Sequence, residues 1–281
     1  MNLRRILVKT KYILLGLFHF EFPPRSILKI AESAMDFIEP NMIMKDNGTP
    51  SICWLSWKSK YLGKTHWLEW KNYINENPEI KFFFFDDKLE SNWMENHYKG
   101  TRLLGIYKDL KFGAQRSDIF RLCLLKKYGG LFLSINRMID LDLIKILPSK
   151  EQFIITFEKI ETTRNNPSLK IPELFRNKKV VQWGLISGPN HAFVDLCLKT
   201  IEDQAESFRG IKFPNVAEPG LRFSGPDLLS SVLDSYLEKH TKGITYMGFD
   251  YNNSMIVPNG SKYRYAWEPS YLTYTNQSLL D

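Results

Sequence analysis

The sequence predicts an α/β fold in which helices cover a mostly parallel sheet. Short apolar runs alternate with amphipathic stretches along most of the 281 residues, a pattern typical of strand–helix–strand units. With 43% apolar and 25% charged residues, the composition fits a globule with a sizeable core. This length suits one large α/β domain with a short arm. We assign residues 1–45 to an N-terminal arm and helix, and residues 46–281 to the main domain.

The predicted elements follow one another from residue 27. A helix is predicted over 27–38 because apolar side chains recur at helical spacing, and Pro40 ends it. Asn47-Gly48 then forms a turn into the first strand. Strands are predicted at 51–57, 80–85, 130–135, 152–157 and 182–187, and helices at 64–76, 88–97, 114–128, 143–147, 190–206 and 226–240. Short strands are predicted near 244–249 and 262–267, and irregular segments at 159–180 and 207–224.

The stretch from Ala114 to Asn136 is the most informative part of the chain. Its first part has the apolar spacing of a helix, which Gly129-Gly130 ends before a short buried strand. Asp118 and Arg121 stand three residues apart on this helix, so their side chains are neighbours. A buried strand that follows a helix with a charged pair is a plausible wall of a ligand site.

Polar and aromatic residues also collect where predicted strands end. In open α/β sheets, ligands bind outside the carboxyl ends of the strands. The residues at or just past such ends are Trp57, Asp86, Asp87, Ser134 and Asn136. The sequence therefore predicts a ligand site at this edge of the sheet.

The run from Ser117 to Asn136 resembles the signature of glycosyltransferase family 32. That family includes yeast-type initiating mannosyltransferases and bacterial capsule and lipopolysaccharide transferases, and it is related to the large clostridial glucosylating toxins. The matching residues are Ser117, Asp118, Arg121, Leu125, Tyr128, Gly129 and Gly130. The final D-x-D of the signature is replaced by Ser134-Ile135-Asn136.

Further blocks support the same resemblance. Residues 50–57, PSICWLSW, resemble the first strand of the family and end on an aromatic residue. Residues 66–87 match its next helix, Asn-Pro turn and second strand. Residues 266–271, AWEPSY, resemble its C-terminal H-W-x-G-S-W motif, with Ser270 kept and Ala266 in the histidine position. Ser224-Gly225-Pro226 resembles a small-Gly-Pro turn before a helix, although an ordinary helix start explains it equally well.

The resemblance implies a GT-A type, Rossmann-like fold and transfer of a sugar from a UDP- or GDP-linked donor to a glycan or lipid-linked glycan hydroxyl. It implies that Trp57 stacks on the base, that Asp118 and Arg121 contact sugar hydroxyls and phosphate, and that Ser270 completes the donor site. It also implies retention of anomeric configuration and a role in capsular polysaccharide or lipopolysaccharide synthesis. The alternative is a catalytically silent relative that binds nucleotide-sugar or glycan.

The altered D-x-D leaves the metal requirement open. In the family this motif holds Mn²⁺ or Mg²⁺, hard cations that prefer carboxylate oxygens. Ser134 and Asn136 offer neutral oxygens, so Asn136 can be only a weak ligand. Three outcomes follow: transfer without metal, in which Arg121 or Arg137 neutralises the phosphates; weak metal use through Asn136 and another carboxylate; or no catalysis. Asp140 and Asp142 are interpreted as caps of the helix at 143–147.

Charge and cysteine content limit the partners and the cellular compartment that the sequence predicts. The net charge of +7 favours anionic partners, but no stripe of interleaved basic and aromatic residues is present, so a nucleic-acid partner is not expected. Three cysteines without a C-x-x-C pair fit a reducing cytosol. The basic and then apolar arm is too short for the roughly 20 residues of a bilayer crossing. It can lie on the inner face of a membrane, or pack on the domain as an ordinary helix.

Overall fold

The computed structural model describes residues 24–33, 50–159, 178–240, 242–265 and 274–281. Over these ranges the strands are β1 (Arg25–Ser26), β2 (Glu32–Ser33), β3 (Ile52–Ser56), β4 (Tyr61–Leu62), β5 (Lys81–Phe85), β6 (Gly130–Ser134), β7 (Met138–Ile139), β8 (Phe153–Phe157), β9 (Gly184–Ser187), β10 (Ile244–Phe249) and β11 (Met255–Ile256). The helices are α1 (Lys64–Glu76), α2 (Asp87–Tyr98), α3 (Arg102–Asp109), α4 (Gly113–Tyr128), α5 (Leu143–Ile146), α6 (Ala192–Gln204), α7 (Ala217–Phe223), α8 (Pro226–Leu237) and α9 (Asn259–Tyr265).

Seven strands form the central sheet, in the order β10-β8-β9-β6-β3-β5-β2. Strand β3 pairs in parallel with both β5 and β6, β2 pairs in parallel with β5, and β10 pairs in parallel with β8. Only β9 runs antiparallel to its two neighbours within the described sheet. The prediction of an α/β fold on a mostly parallel sheet is therefore confirmed.

Both faces of the sheet are covered, which explains why its strands are apolar without interruption. Successive residues alternate between the faces: Trp54 lies in the core beneath α2, α4, α6 and α8, whereas Cys53 and Leu55 lie in the core beneath α1. Phe132 and its neighbour Leu131 divide in the same way. Each strand therefore anchors two separate cores, and the sheet edge between them is the place where side chains can meet a ligand.

Helix α4 is joined to β6 by a glycine pair that no other residue fits. Gly129 and Gly130 have φ values of +70° and +93°, a region that L side chains rarely adopt. A Cβ on Gly129 would lie 2.7 Å from the Pro189 nitrogen. The Gly129 carbonyl accepts a 2.8 Å hydrogen bond from Trp54 Nε1. The turn thus fixes the end of α4 against the central strand.

Most predicted elements are confirmed, with corrections at the margins. Residues 27–33 form a 3-10 turn and an edge strand rather than a helix, because the Ile27 N–H donates to the Lys60 carbonyl and β2 pairs with β5. Residues 34–49, which hold the rest of that predicted helix, lie outside the described residues. Asp142 directly precedes α5, with Oδ2 2.8 Å from Lys145 Nζ, whereas Asp140 does not cap it.

The segment predicted as a strand near 262–267 is the helix α9 as far as Tyr265. Its first turn is fixed from a distant element, since Glu69 on α1 accepts the N–H groups of Asn259 and Gly260. Helix α3 was not predicted, and α7 lies in the segment predicted to be irregular. No helix in the described part of the chain is long and apolar enough to cross a bilayer.

Candidate donor-binding site

The carboxyl ends of β3 and β6 meet the start of α4. Ser56 at the end of β3 lies beside Ser134 at the end of β6 in the parallel register. The Ser56 and Ser117 hydroxyl oxygens are 3.0 Å apart, which joins β3 to α4. Trp57 follows Ser56 and Asp118 follows Ser117. The structure therefore brings Trp57, Asp118 and Ser134 to one edge of the sheet, as the sequence predicted.

Asp118 and Arg121 form a buried ion pair on α4. Arg121 Nη2 lies 3.1 Å from Asp118 Oδ1, and the two side chains are 8% and 13% exposed, respectively. Asp118 Oδ2 accepts a 3.1 Å hydrogen bond from the Ser224 hydroxyl. Burial raises the pKa of Asp118 to about 6, while Arg121 and the Ser224 hydrogen bond act to lower it. The carboxylate is held by partners on two sides, so its orientation is fixed.

Arg121 is itself held by the protein. Its Nε donates to the Ser117 carbonyl at 3.2 Å, and Nη1 donates to the Gln182 carbonyl at 2.5 Å. Its guanidinium carbon lies 4.9 Å from the centroid of the Phe132 ring. Three of its nitrogens therefore bond to protein acceptors, which fixes the guanidinium beside Asp118.

Ser134-Ile135-Asn136, at the D-x-D position, forms a tight turn. The Arg137 N–H donates to the Ser134 carbonyl at 2.9 Å, which closes the turn, and the Ser134 N–H donates to the Trp183 carbonyl at 2.7 Å. The Ile135 side chain is buried, while Ser134 and Asn136 are half-buried. The turn therefore places Ser134 and Asn136 at this edge of the sheet, with the amide oxygen of Asn136 buried.

Arg137 lies between this turn and two carboxylates. Its Nη1 donates to the Asn136 carbonyl at 2.9 Å. Burial raises the pKa of both Glu158 and Asp250, and the Arg137 charge acts in the opposite direction on each. Glu158 follows β8 and Asp250 follows β10. A cation thus sits beside the altered motif, balanced by acidic groups from the far half of the sheet.

Asp250 begins a left-handed turn, Asp250–Asn253, in which four consecutive non-glycine residues have φ between +43° and +65°. Such residues each cost about 1–2 kcal/mol, and tertiary contacts must hold them there. The buried Tyr251 supplies these contacts: its N–H donates to Thr156 Oγ1 and its hydroxyl donates to the Gly184 carbonyl, both at 2.8 Å. The turn brings Asp250 close enough to Arg137 that the guanidinium charge acts to lower the pKa of Asp250.

Trp57 and the two aspartates after β5 form the other side of the site. The half-buried Trp57 donates its backbone N–H to the Phe85 carbonyl at 3.0 Å. Asp86 caps α2, because its Oδ1 accepts the Leu89 N–H at 3.0 Å. Asp87 is more exposed to solvent than Asp86. Partial desolvation of its carboxyl raises the pKa of Asp87, while the charges of Arg116 and Lys58 act to lower it. Asp86 therefore has a structural role at the start of α2, whereas Asp87 lies exposed beside it.

The described residues at this edge of the sheet do not fit a tightly held divalent metal. Within the described ranges, no group of three His, Cys, Asp or Glu side chains is arranged to hold one. Ser134 and Asn136 supply neutral oxygens, and the guanidinium of Arg137 adjoins them. Ser270 and Ala266, the expected C-terminal members of the site, lie outside the described residues.

Two partners of the ion pair were not predicted from the sequence. The side-chain amide of Gln182 donates to the Ser224 carbonyl at 2.5 Å, and the backbone carbonyl of Gln182 accepts a hydrogen bond from Arg121. The sequence carried a signal only for Ser224, in the Ser224-Gly225-Pro226 turn. Gln182 stands just before β9, and nothing in its local pattern distinguishes it from a surface residue.

Comparison with known proteins gives the class of this protein. Residues 63–154, about a third of the chain, match a family model described as a glycosyltransferase sugar-binding region containing a DXD motif. The match spans α1, the Asp118–Arg121 pair and the turn Ser134–Asn136. By this match the protein is a glycosyltransferase, and its described residues have an α/β fold on a mostly parallel sheet.

Among solved structures, the chain is similar to one titled PaToxG Glycosyltransferase, with 13% identity and a TM-score of 0.48. That likeness covers 84% of this chain and 79% of the other. A search of curated proteins found no significant match.

Proposed function

We propose that this glycosyltransferase moves a sugar from a UDP- or GDP-linked donor to a glycan or lipid-linked glycan hydroxyl, with retention of configuration and without a tightly bound metal. The observation that carries the proposal is the buried Asp118–Arg121 pair, fixed by Ser224 and Gln182 at the carboxyl edge of the sheet. A carboxylate oriented in this way can accept hydrogen bonds from hydroxyls of a bound sugar.

Each remaining residue has a proposed role in donor binding. The half-buried Trp57 offers an aromatic face to the base. Ser134 and Asn136 donate hydrogen bonds to the diphosphate, and Ser270 contributes from the C-terminal segment. Arg137, beside the turn, supplies positive charge to the leaving group, because a guanidinium matches phosphate oxygens in a bidentate manner.

The proposed reaction takes place on one face of the donor sugar. The bond from the anomeric carbon to the diphosphate oxygen breaks, and the acceptor oxygen forms its bond from the same side. The departing diphosphate takes the acceptor proton. We assign no enzyme nucleophile, and charge stabilisation at the diphosphate is the main task left to the protein.

We also propose that the protein belongs to glycosyltransferase family 32 and works in capsular polysaccharide or lipopolysaccharide synthesis, on the cytoplasmic face of a membrane. In this proposal residues 1–45 are an arm appended to the domain 46–281. A surface near the start of the described chain supports membrane contact. Tyr61 and Leu68 are 49% and 38% exposed. The cations Arg25 and Lys71 flank the Trp67 ring, at 5.1 and 5.5 Å from its centroid.

Vesicle sedimentation tests the membrane proposal. Substituting Lys60, Lys64 and Lys71 by Glu should abolish binding to phosphatidylglycerol vesicles, since each basic residue at such a surface contributes about 1 kcal/mol. The matched control substitutes the exposed Lys99, Lys199 and Lys239, which lie just after α2, on α6 and just after α8, helices of the opposite face. Equal binding by both variants would contradict the assigned surface.

The alternative is a catalytically silent protein that binds nucleotide-sugar or glycan as a partner subunit. The replacement of both D-x-D carboxylates favours it, since charge neutralisation is the step that such carboxylates serve through a metal. Binding without turnover is its distinguishing property.

A two-stage experiment separates these proposals. Thermal-shift measurements with UDP- and GDP-sugars, with and without Mn²⁺, identify the nucleotide, because a ligand at 100 times its dissociation constant stabilises the fold by about 2.7 kcal/mol. Turnover of that donor is then measured with EDTA. Turnover in EDTA that falls about tenfold in Arg137→Gln supports the metal-independent enzyme. Donor binding without turnover in any metal supports the silent subunit, and no binding contradicts both.

A further inference from the structure

Helix α1 contacts two segments that lie far apart in sequence. One is the turn Ser134–Asn136 of the proposed donor site. The other is the start of α9, at Asn259 and Gly260. We infer that His66, Glu69 and Trp70 are positioning residues that hold both segments in register for the donor diphosphate. The inference rests on the proposed function and extends it to residues that do not touch the donor.

The first contact fixes the peptide plane within the turn. The Ile135 carbonyl accepts two buried hydrogen bonds, from Trp70 Nε1 and His66 Nε2, both at 2.8 Å. A carbonyl cannot donate, so Nε2 of His66 carries the hydrogen, and Trp70 Nε1, although only 3.2 Å from that nitrogen, donates to the carbonyl instead. The side chains of His66 and Trp70 are 1% and 0% exposed, which excludes water from both bonds. The planar peptide then directs the Asn136 N–H away from α1.

The second contact fixes the start of α9. The Glu69 carboxylate accepts the Asn259 N–H at 2.8 Å and the Gly260 N–H at 2.9 Å, one on each oxygen. Charge-assisted bonds of this kind are stronger than neutral ones. Gly260 packs so closely on α1 that a Cβ on it would lie 2.2 Å from the backbone nitrogen of His66. The backbone of α9 is therefore seated directly on the residue that holds the turn.

These contacts follow from the helical spacing of α1. His66 and Trp70 are separated by four residues, and Glu69 stands three residues after His66, so all three lie along one face of the helix. Trp67, on the same helix, donates its indole N–H to the Ser26 carbonyl at 3.0 Å instead. It thus serves the N-terminal segment, which makes it the matched control.

The test compares Trp70→Phe with Trp67→Phe, because each removes one indole N–H from one backbone carbonyl and keeps the aromatic ring. Hydrogen exchange followed by mass spectrometry should show Trp70→Phe raising exchange in residues 133–139 about fivefold, in keeping with the modest net strength of one hydrogen bond. Trp67→Phe should leave this segment unchanged. Glu69→Gln should raise exchange in residues 258–264 and leave the Ile135 carbonyl contacts in place.

Activity supplies the second readout. If the inference holds, Trp70→Phe lowers kcat about fivefold for the identified donor at an unchanged melting temperature relative to Trp67→Phe. Equal exchange and equal kcat in the two variants would overturn it. Absence of turnover in the wild-type protein would contradict the proposed enzymatic function. The exchange comparison then tests the inference by itself, and equal exchange in residues 133–139 of the two variants would overturn it.

Discussion

The Asp118–Arg121 pair and the turn Ser134–Asn136 lie at the same edge of the sheet, yet they are built differently. The pair keeps the family residues and is bonded to the protein on several sides, through Ser224, Gln182 and Ser117. The turn has lost both carboxylates and is held through its backbone. The charges near the turn are those of Arg137 and of the carboxylates Glu158 and Asp250 across the sheet.

The difference separates two tasks that the family signature joins. The residues proposed to orient the donor sugar depend on a buried network, so changing one leaves another without its partner. Residues that hold a metal serve only that metal. They can therefore change together once another cation neutralises the diphosphate. The predictions below test whether the first region is indispensable and the second replaceable.

The largest expected effect is at Asp118. Asp118→Asn should lower kcat/KM about 100-fold, which corresponds to about 2.7 kcal/mol of transition-state stabilisation. The amide can still accept from Ser224 but gives Arg121 no opposite charge. Steady-state kinetics with the identified donor measure the change. Glu95→Gln, which alters an exposed carboxylate on α2 that pairs with Lys108, is the control; a loss there as large as at Asp118 would contradict the distinction.

The next effect concerns pH. Burial raises the pKa of Asp118 to about 6, so the rate should fall about tenfold per pH unit below 6 as the carboxylate takes a proton. The native state binds this proton more tightly than the unfolded state does. The contribution of Asp118 to stability is therefore present at low pH and is lost as pH rises through about 6. Activity and this contribution should change in opposite directions.

That opposite behaviour separates titration from acid unfolding. The pH–rate profile is measured together with circular dichroism from pH 5 to 8. A rate that follows loss of ellipticity, rather than preceding it, would show that unfolding and not Asp118 sets the profile. A profile that is flat down to pH 5 would remove the carboxylate from the mechanism.

A smaller gain is expected when the motif is restored. Ser134→Asp combined with Asn136→Asp should make Mn²⁺ stimulate transfer about fivefold, because two carboxylates then offer the oxygen ligands that hard cations prefer. Wild-type protein assayed with and without Mn²⁺ is the reference. Strong Mn²⁺ stimulation of the wild type would show that the turn has not been replaced in function.

The smallest effect is expected at Ser224. Ser224→Ala removes one hydrogen bond to Asp118, whose net value of about 1 kcal/mol predicts roughly a threefold to fivefold fall in kcat/KM. Ser231→Ala, at a hydroxyl on α8 that bonds only the Leu228 carbonyl among the described contacts, is the matched control. A loss at Ser224 as large as that at Asp118 would mean that the hydroxyl contacts the donor directly.

Local pattern was sufficient for much of this fold. The strands β3, β5, β6, β8, β9 and β10 are short apolar runs, and the helices α1, α2, α4, α6 and α8 have helical apolar spacing, so the sequence predicted each of them. Elements that depend on distant partners were predicted incorrectly or missed. Helix α9 starts where Glu69 accepts its first N–H groups, and β2 forms because β5 offers it a free edge.

The sequence by itself determined the sheet, the glycine turn after α4 and the neighbouring positions of Asp118 and Arg121, because these depend on spacing of a few residues. Only the tertiary structure decided that Gln182 and Ser224 hydrogen-bond to that pair. It also decided that Arg137 lies near Glu158 and Asp250, and that His66 and Trp70 of α1 bond the Ile135 carbonyl. Those contacts join residues about 20 to 110 positions apart, and the packing of helices and strands on the sheet, rather than any local period, sets which of them meet.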